Sequence, residues 1–133
     1  MSKRLHSITV IFSPYHVGFR GLAVGAGPVR LQSLGLIPAL ERLGVEVHQT
    51  ELEPVDDFDG EIGRSFELFR RTSIAVANAR ESGSFPILLS GNCSASVGVW
   101  AGLHAASQAE RTSQLGCVWF GKEESVKQHE IPS

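Results

Sequence analysis

Cysteine is scarce in this chain: only Cys93 and Cys117 occur among 133 residues. A small secreted domain held by disulfides needs more than one pair, so both are expected as reduced thiols in a cytoplasmic protein. An excess of charge of one sign is also missing. Twelve Lys and Arg stand against 14 Asp and Glu, for a net charge of −2, and no basic run follows a phosphate backbone, which argues against nucleic acid as a partner. No apolar stretch approaches the roughly 20 residues that span a bilayer, so no membrane partner is expected. The N-terminus, MSKRLHSITVIFSPYH, has too short an apolar run for a signal sequence and no small-residue cleavage site. Repeats and low-complexity segments are absent as well. With 42% hydrophobic residues, the chain can bury one real core.

Strand-like and helix-like pieces alternate, which predicts βαβ units around a mainly parallel sheet. SITVIF at 7–12 is the first strand. The stretch 13–27, SPYHVGFRGLAVGAG, is expected as a long glycine-bearing loop. Pro28 suits a first helical position, and Pro38 divides what would be one helix into a piece ending near Ser33 and a second in which Leu36, Leu40 and Leu43 share a face. Gly44 ends it, and VEVHQTEL forms the second strand. After the acidic loop ELEPVDDFDG, with Asp59 as N-cap, a helix is expected to bury the stripe Ile62, Phe66, Phe69, Ser73 and Val76, leaving Arg64, Glu67, Arg70 and Arg71 outside, and to stop at Gly83. FPILLS is the third strand, a small-residue helix runs to about Gln108, and LGCVWF at 115–120 is the fourth strand. The polar stretch 121–133 has neither period, so no helix covers that last strand. Val118 and Phe120 should be partly exposed, and the open sheet edge offers a place for self-association or another partner.

The stretch FPILLSGNCSASVGVWAGL places Cys93 where a strand turns into a helix, at the carboxyl edge of a parallel sheet, where α/β proteins keep their sites. Three readings are open. Cys93 is a buried thiol under the helix, a reading Cys117 receives within its apolar strand. Alternatively it is a nucleophile in an elbow-like turn, with a helix N-terminus to lower its pKa and a base needed from His16, His48 or His129, His104 pointing away. Ala95 stands where the elbow's second glycine would be. Or it is a metal ligand.

The third reading gains weight from a resemblance. SITVIFSPYHVGFRG, VGAGPVRLQSLGLIPALERLGVEV, and FPILLSGNCSASVGVWAGL followed by LGCVWF are similar, in order and spacing, to the N-terminal part of the arginase and agmatinase (ureohydrolase) family, over about residues 7 to 120. The resemblance implies a three-layer α/β/α fold, here incomplete with about four strands, and a two-Mn²⁺ centre that hydrolyses the C–N bond of a small guanidino substrate such as arginine or agmatine. The family's Gly-Gly-Asp-His turn falls on Ser90, Gly91, Asn92 and Cys93, which puts Cys93 at a metal-binding histidine position. The family's Asp-Ala-His-x-Asp cluster falls on 121–125, with Gly121 and Ser125 in place of the aspartates and Glu123 in place of the histidine. Metal is accordingly expected to bind weakly or not at all, thiolate being softer than Mn²⁺ prefers. The expected organisation is an arginase-like segment over 1–120 and a divergent polar tail over 121–133. The alternatives are a non-catalytic α/β module that binds a partner, and a thiol hydrolase built on Cys93.

Overall fold

The computed structural model describes residues 4–56, 60–110 and 115–120. The chain opens with strand β1 (Ser7–Ser13), followed by a small antiparallel hairpin, β2 (Tyr15–His16) and β3 (Phe19–Arg20), and a 3₁₀ turn at Ala23–Ala26. Helices α1 (Gly27–Ser33) and α2 (Leu36–Glu41) lead to β4 (Glu46–Glu51); the long helix α3 (Gly60–Glu81) leads to β5 (Phe85–Ser90). A 3₁₀ turn, Cys93–Ala95, then runs into α4 (Ser96–Glu110).

The main sheet has three parallel strands in the order β4-β1-β5. β1 lies in the middle, with Ser7 opposite Glu46 on one side and Ile8 opposite Phe85 on the other. Its β-branched run suits a strand buried on both faces. Ile8, Val10 and Phe12 point to one face and form a cluster with Ile37 of α2, joined by Leu40, Val45, Val47, Ile87 and Leu89. Ile11 points to the other, where it joins Leu52, Val55, Leu68 and Val76, with Leu88, Val99 and Leu103 packed against them. The two clusters define three layers, α1 and α2 on one face and α3 and α4 on the other. Burying each Val, Ile or Leu in them contributes roughly 1.5–3 kcal/mol.

The helix α3 differs from its expected orientation. Its buried residues are Arg64, Leu68, Thr72, Val76 and Ala79. Of the expected stripe only Val76 is in the core; Ile62 is 76% and Phe66 66% exposed. The reason lies in α4, which, with Ala95 just before it, offers Gly98, Gly102 and Ala106 to the seam. A Cβ built on Gly98 would stand 2.7 Å from the Phe69 carbonyl oxygen, and one on Gly102 2.5 Å from that of Ser73. Backbones this close leave no room for a phenyl ring in the seam, so Phe66 stays outside, edge to face with Phe69 at 5.8 Å. Thr72 is tolerated there because its hydroxyl donates to the Leu68 carbonyl at 2.8 Å.

Other expectations are corrected as well. The 13–27 stretch is the β2–β3 hairpin and a 3₁₀ turn rather than an irregular loop. Leu43 is exposed, and Ile37 anchors α2 instead. Gly44 and Gly83 do end their helices in left-handed conformations, φ 78° and 77°, as glycine at such positions allows. The 115–120 segment takes no part in the sheet, so the described strands of the main sheet number three rather than four. High β propensity does not make a strand without a ladder partner. Val118 and Phe120 are 78% and 92% exposed, and Cys117 is exposed too, contrary to the buried reading. Asp59 lies outside the described residues, as does 121–133. Among the described residues no helix is long and apolar enough to cross a membrane.

Candidate functional site

The strand order places a topological switch point at β1 and β5: α1 and α2 carry the chain from β1 to one side, and α3 brings it back across β1 to the other. Loops leaving the carboxyl ends of two such strands diverge to opposite faces and open a crevice between them, where open α/β sheets bind ligands. Here those loops are the segment after Ser13 and the turn after Ser90.

Glycine holds the two loops together. A Cβ on Gly91 would lie 2.7 Å from the backbone of Val24 and Gly25, and one on Gly25 would lie 2.9 Å from the Tyr15 carbonyl carbon. The 3₁₀ turn is thus wedged between the end of β1 and the turn after β5, with only hydrogen atoms at its points of closest approach. Tyr15 anchors the other side. It is buried, and its hydroxyl donates to the Leu52 carbonyl at 2.6 Å. Burial, and next the neighbouring Glu51 carboxylate, push its pKa above the usual value, so it stays a neutral donor.

The hairpin in this loop is strained. Val17 and Gly18 both have positive φ, 45° and 92°, the backbone of a two-residue primed turn, in which valine is an unfavourable first residue. Arg64 of α3 braces it. This buried side chain donates from Nε to the Val17 carbonyl at 3.4 Å and sets its guanidinium 4.4 Å above the Phe19 ring. A Cβ on Gly18 would collide with Arg64 at 2.6 Å. Arg64 was expected on the solvent face; the hairpin that recruits it is not visible in the helical period.

The outcome is that His16 meets Asn92. The His16 Nδ1 lies 3.1 Å from the Asn92 Oδ1, so in this orientation the imidazole donates from Nδ1. Asn92 occupies the N-cap position of the 3₁₀ turn with φ −110° and ψ 131°, yet makes no side-chain cap bond. An asparagine there ordinarily accepts from the first helical N–H groups; here its oxygen is committed to His16. Cys93 follows directly and is exposed, not packed under the helix.

Of the residues singled out from the sequence, His16, Asn92 and Cys93 come to this crevice. His48 lies on β4, 3.5 Å from Glu46, and His104 is exposed on α4. Glu123 and His129 fall outside the described residues. His16 was one of three candidate bases with nothing to separate them. Its signal is positional: it follows the first strand, whose carboxyl end borders the switch point in the order β4-β1-β5.

No family model and no curated protein sequence matches this chain. Among solved structures, the arginase of Bacillus subtilis superposes with a TM-score of 0.65 at 24% sequence identity, covering 74% of this chain and 34% of that one. The fold is arginase-like. The chain spans about a third of that arginase's length, and the likeness concerns architecture.

The donors in the crevice do not fit the two-Mn²⁺ centre that the resemblance implies. Among the described residues, no three His, Cys, Asp or Glu side chains form a group able to hold a metal ion. An imidazole engaged at Nδ1, a neutral amide and a thiol provide no hard anionic oxygen, which Mn²⁺ prefers. No hydrolytic step through such a centre follows from these residues.

Proposed function

We propose that this chain is an arginase-like ureohydrolase segment in which the place of the metal site is kept while its ligand set is not. The chemistry of the lineage is hydrolysis of a guanidino C–N bond; His16, Asn92 and Cys93 by themselves do not support it. The observation that carries this reading is the crevice at the β1–β5 switch point, built by glycine contacts on an arginase-like fold, with Cys93 at the turn position where the resemblance places a metal-binding histidine. The exposed thiols fit a reducing, cytoplasmic setting.

The test is urea release from arginine and from agmatine by the purified chain with added Mn²⁺. The expected result is no urea above the metal-only control. Sustained Mn²⁺-dependent release that Cys93→Ala abolishes would show that the chain holds a working site and would overturn the proposal.

A further inference from the structure

β5 is bonded to β1 along one edge, and among the described residues nothing pairs with the other. Its sequence, FPILLS, has none of the charges with which edge strands discourage pairing. Pro86 removes one donor near its start, which leaves residues 87–90 able to complete a ladder. Ile87, Leu88 and Leu89 are half-buried, whereas their neighbours Val10, Ile11 and Phe12 on β1 are fully buried. The missing cover on β5 is therefore lateral, the space of one further strand.

The chain carries a segment of matching length and character. Residues 115–120, LGCVWF, follow α4 without entering a helix or strand, and Val118, Trp119 and Phe120 are exposed. Aromatic and β-branched residues of this kind are enriched in strands. Handedness adds a direction. α3 and α4 lie on the same face, so a right-handed crossover after α4 leads toward the free side of β5. That rule puts the segment's partner edge at β5, yet 115–120 is not paired with its own β5.

We infer that the free edge of β5 accepts the 115–120 segment of a second copy of this chain, and that the reciprocal exchange forms a closed two-fold dimer. Exchange of an identical element needs no surface beyond the one each chain already exposes, and two-fold symmetry leaves neither copy with an open β5. The occupant is apolar and extended, and the edge is uncharged, so no ion pair is broken on docking. The inference concerns assembly and is independent of guanidino chemistry.

Sedimentation velocity of the full chain over a range of concentrations reads the assembly state. The expected result is a monomer–dimer equilibrium that Val118→Asp with Phe120→Asp weakens at least about tenfold, at an unchanged circular dichroism spectrum. Both side chains are solvent-exposed, so the double variant keeps its fold. A nitroxide on Cys117 of unenriched Cys93→Ser chain, mixed with ¹⁵N-labelled chain, then locates the contact. Broadening of amides 87–90 in the labelled chain supports the exchange. The inference is overturned by a concentration-independent monomer, by open-ended polymers, by a dimer in which amides 87–90 are unaffected, or by broadening that arises only when spin label and ¹⁵N are in the same chain.

Discussion

On the flank of β5 that faces β1, backbone meets backbone: Gly91 lies against Val24 and Gly25, and Gly98 and Gly102 at the start of the next helix lie against the carbonyls of α3. In the segment that follows α4, by contrast, a Cβ on Gly116 would meet nothing within 4 Å, and the residues around it face solvent. The chemistry of the two sequences hardly differs, since both mix glycine with apolar side chains. What differs is whether a partner is in place. Propensity makes a segment able to form structure, and tertiary contact decides whether it does. The crevice belongs to the closed flank of β5, and the proposed assembly surface to its free one.

The largest effect is expected at the helix seam. Gly102→Val should destabilise the fold by about 3 kcal/mol, because its side chain must displace the Ser73 carbonyl and Val76, and backbone in a packed seam yields poorly. Chemical denaturation measures this, and a change near zero would mean that α3 and α4 are not in contact as described. Gly91→Ala should cost about 2 kcal/mol by pushing the 3₁₀ turn off the β5 turn. It should also separate His16 from Asn92, visible as a changed His16 ring environment by NMR. Gly116→Ala, where a Cβ meets nothing, should stay within about 0.5 kcal/mol of the parent.

A smaller effect is expected from acid. Hydrogen bonds from Arg70 and then Arg71 hold the Glu67 carboxyl at about 2 against an ordinary 4.5. A lowered pKa stabilises the folded state above the ordinary value, and that contribution is lost as pH falls from about 4.5 through about 2. Arg71 also donates to the Glu53 and Pro54 carbonyls at 2.7 and 3.0 Å, so protonating Glu67 loosens the clasp between α3 and the end of the β4 loop. Glu67→Gln should flatten the dependence of the melting temperature on pH across that window. An unchanged slope would remove Glu67 from the account.

The layers of the fold were legible in the sequence because the β-branched run of β1 and the punctuation by Pro28, Gly44 and Gly83 are local signals. The position of Cys93 at a strand-to-helix turn was legible for the same reason. What was not legible depended on neighbours distant in sequence. The face that α3 buries is set by glycines of α4 some 30 residues on, and Arg64 is buried by a hairpin that precedes α3 by even more. The partnership of His16 and Asn92 requires the strand order, which periodicity does not contain. LGCVWF reads as a strand on composition alone, and lacks the pairing that would make it one.

On the function proposed above, the crevice keeps the place of a metal site without the donors to fill it. Electron paramagnetic resonance of Mn²⁺ titrated into the purified chain tests it most directly, since bound ions lose the sharp six-line signal of the aquo ion. The parent chain should leave that signal undiminished, and Asn92→Asp with Cys93→His, which puts a hard oxygen and a second imidazole beside His16, should reduce it. Two tightly held Mn²⁺ per parent chain would show that a full ligand set is present.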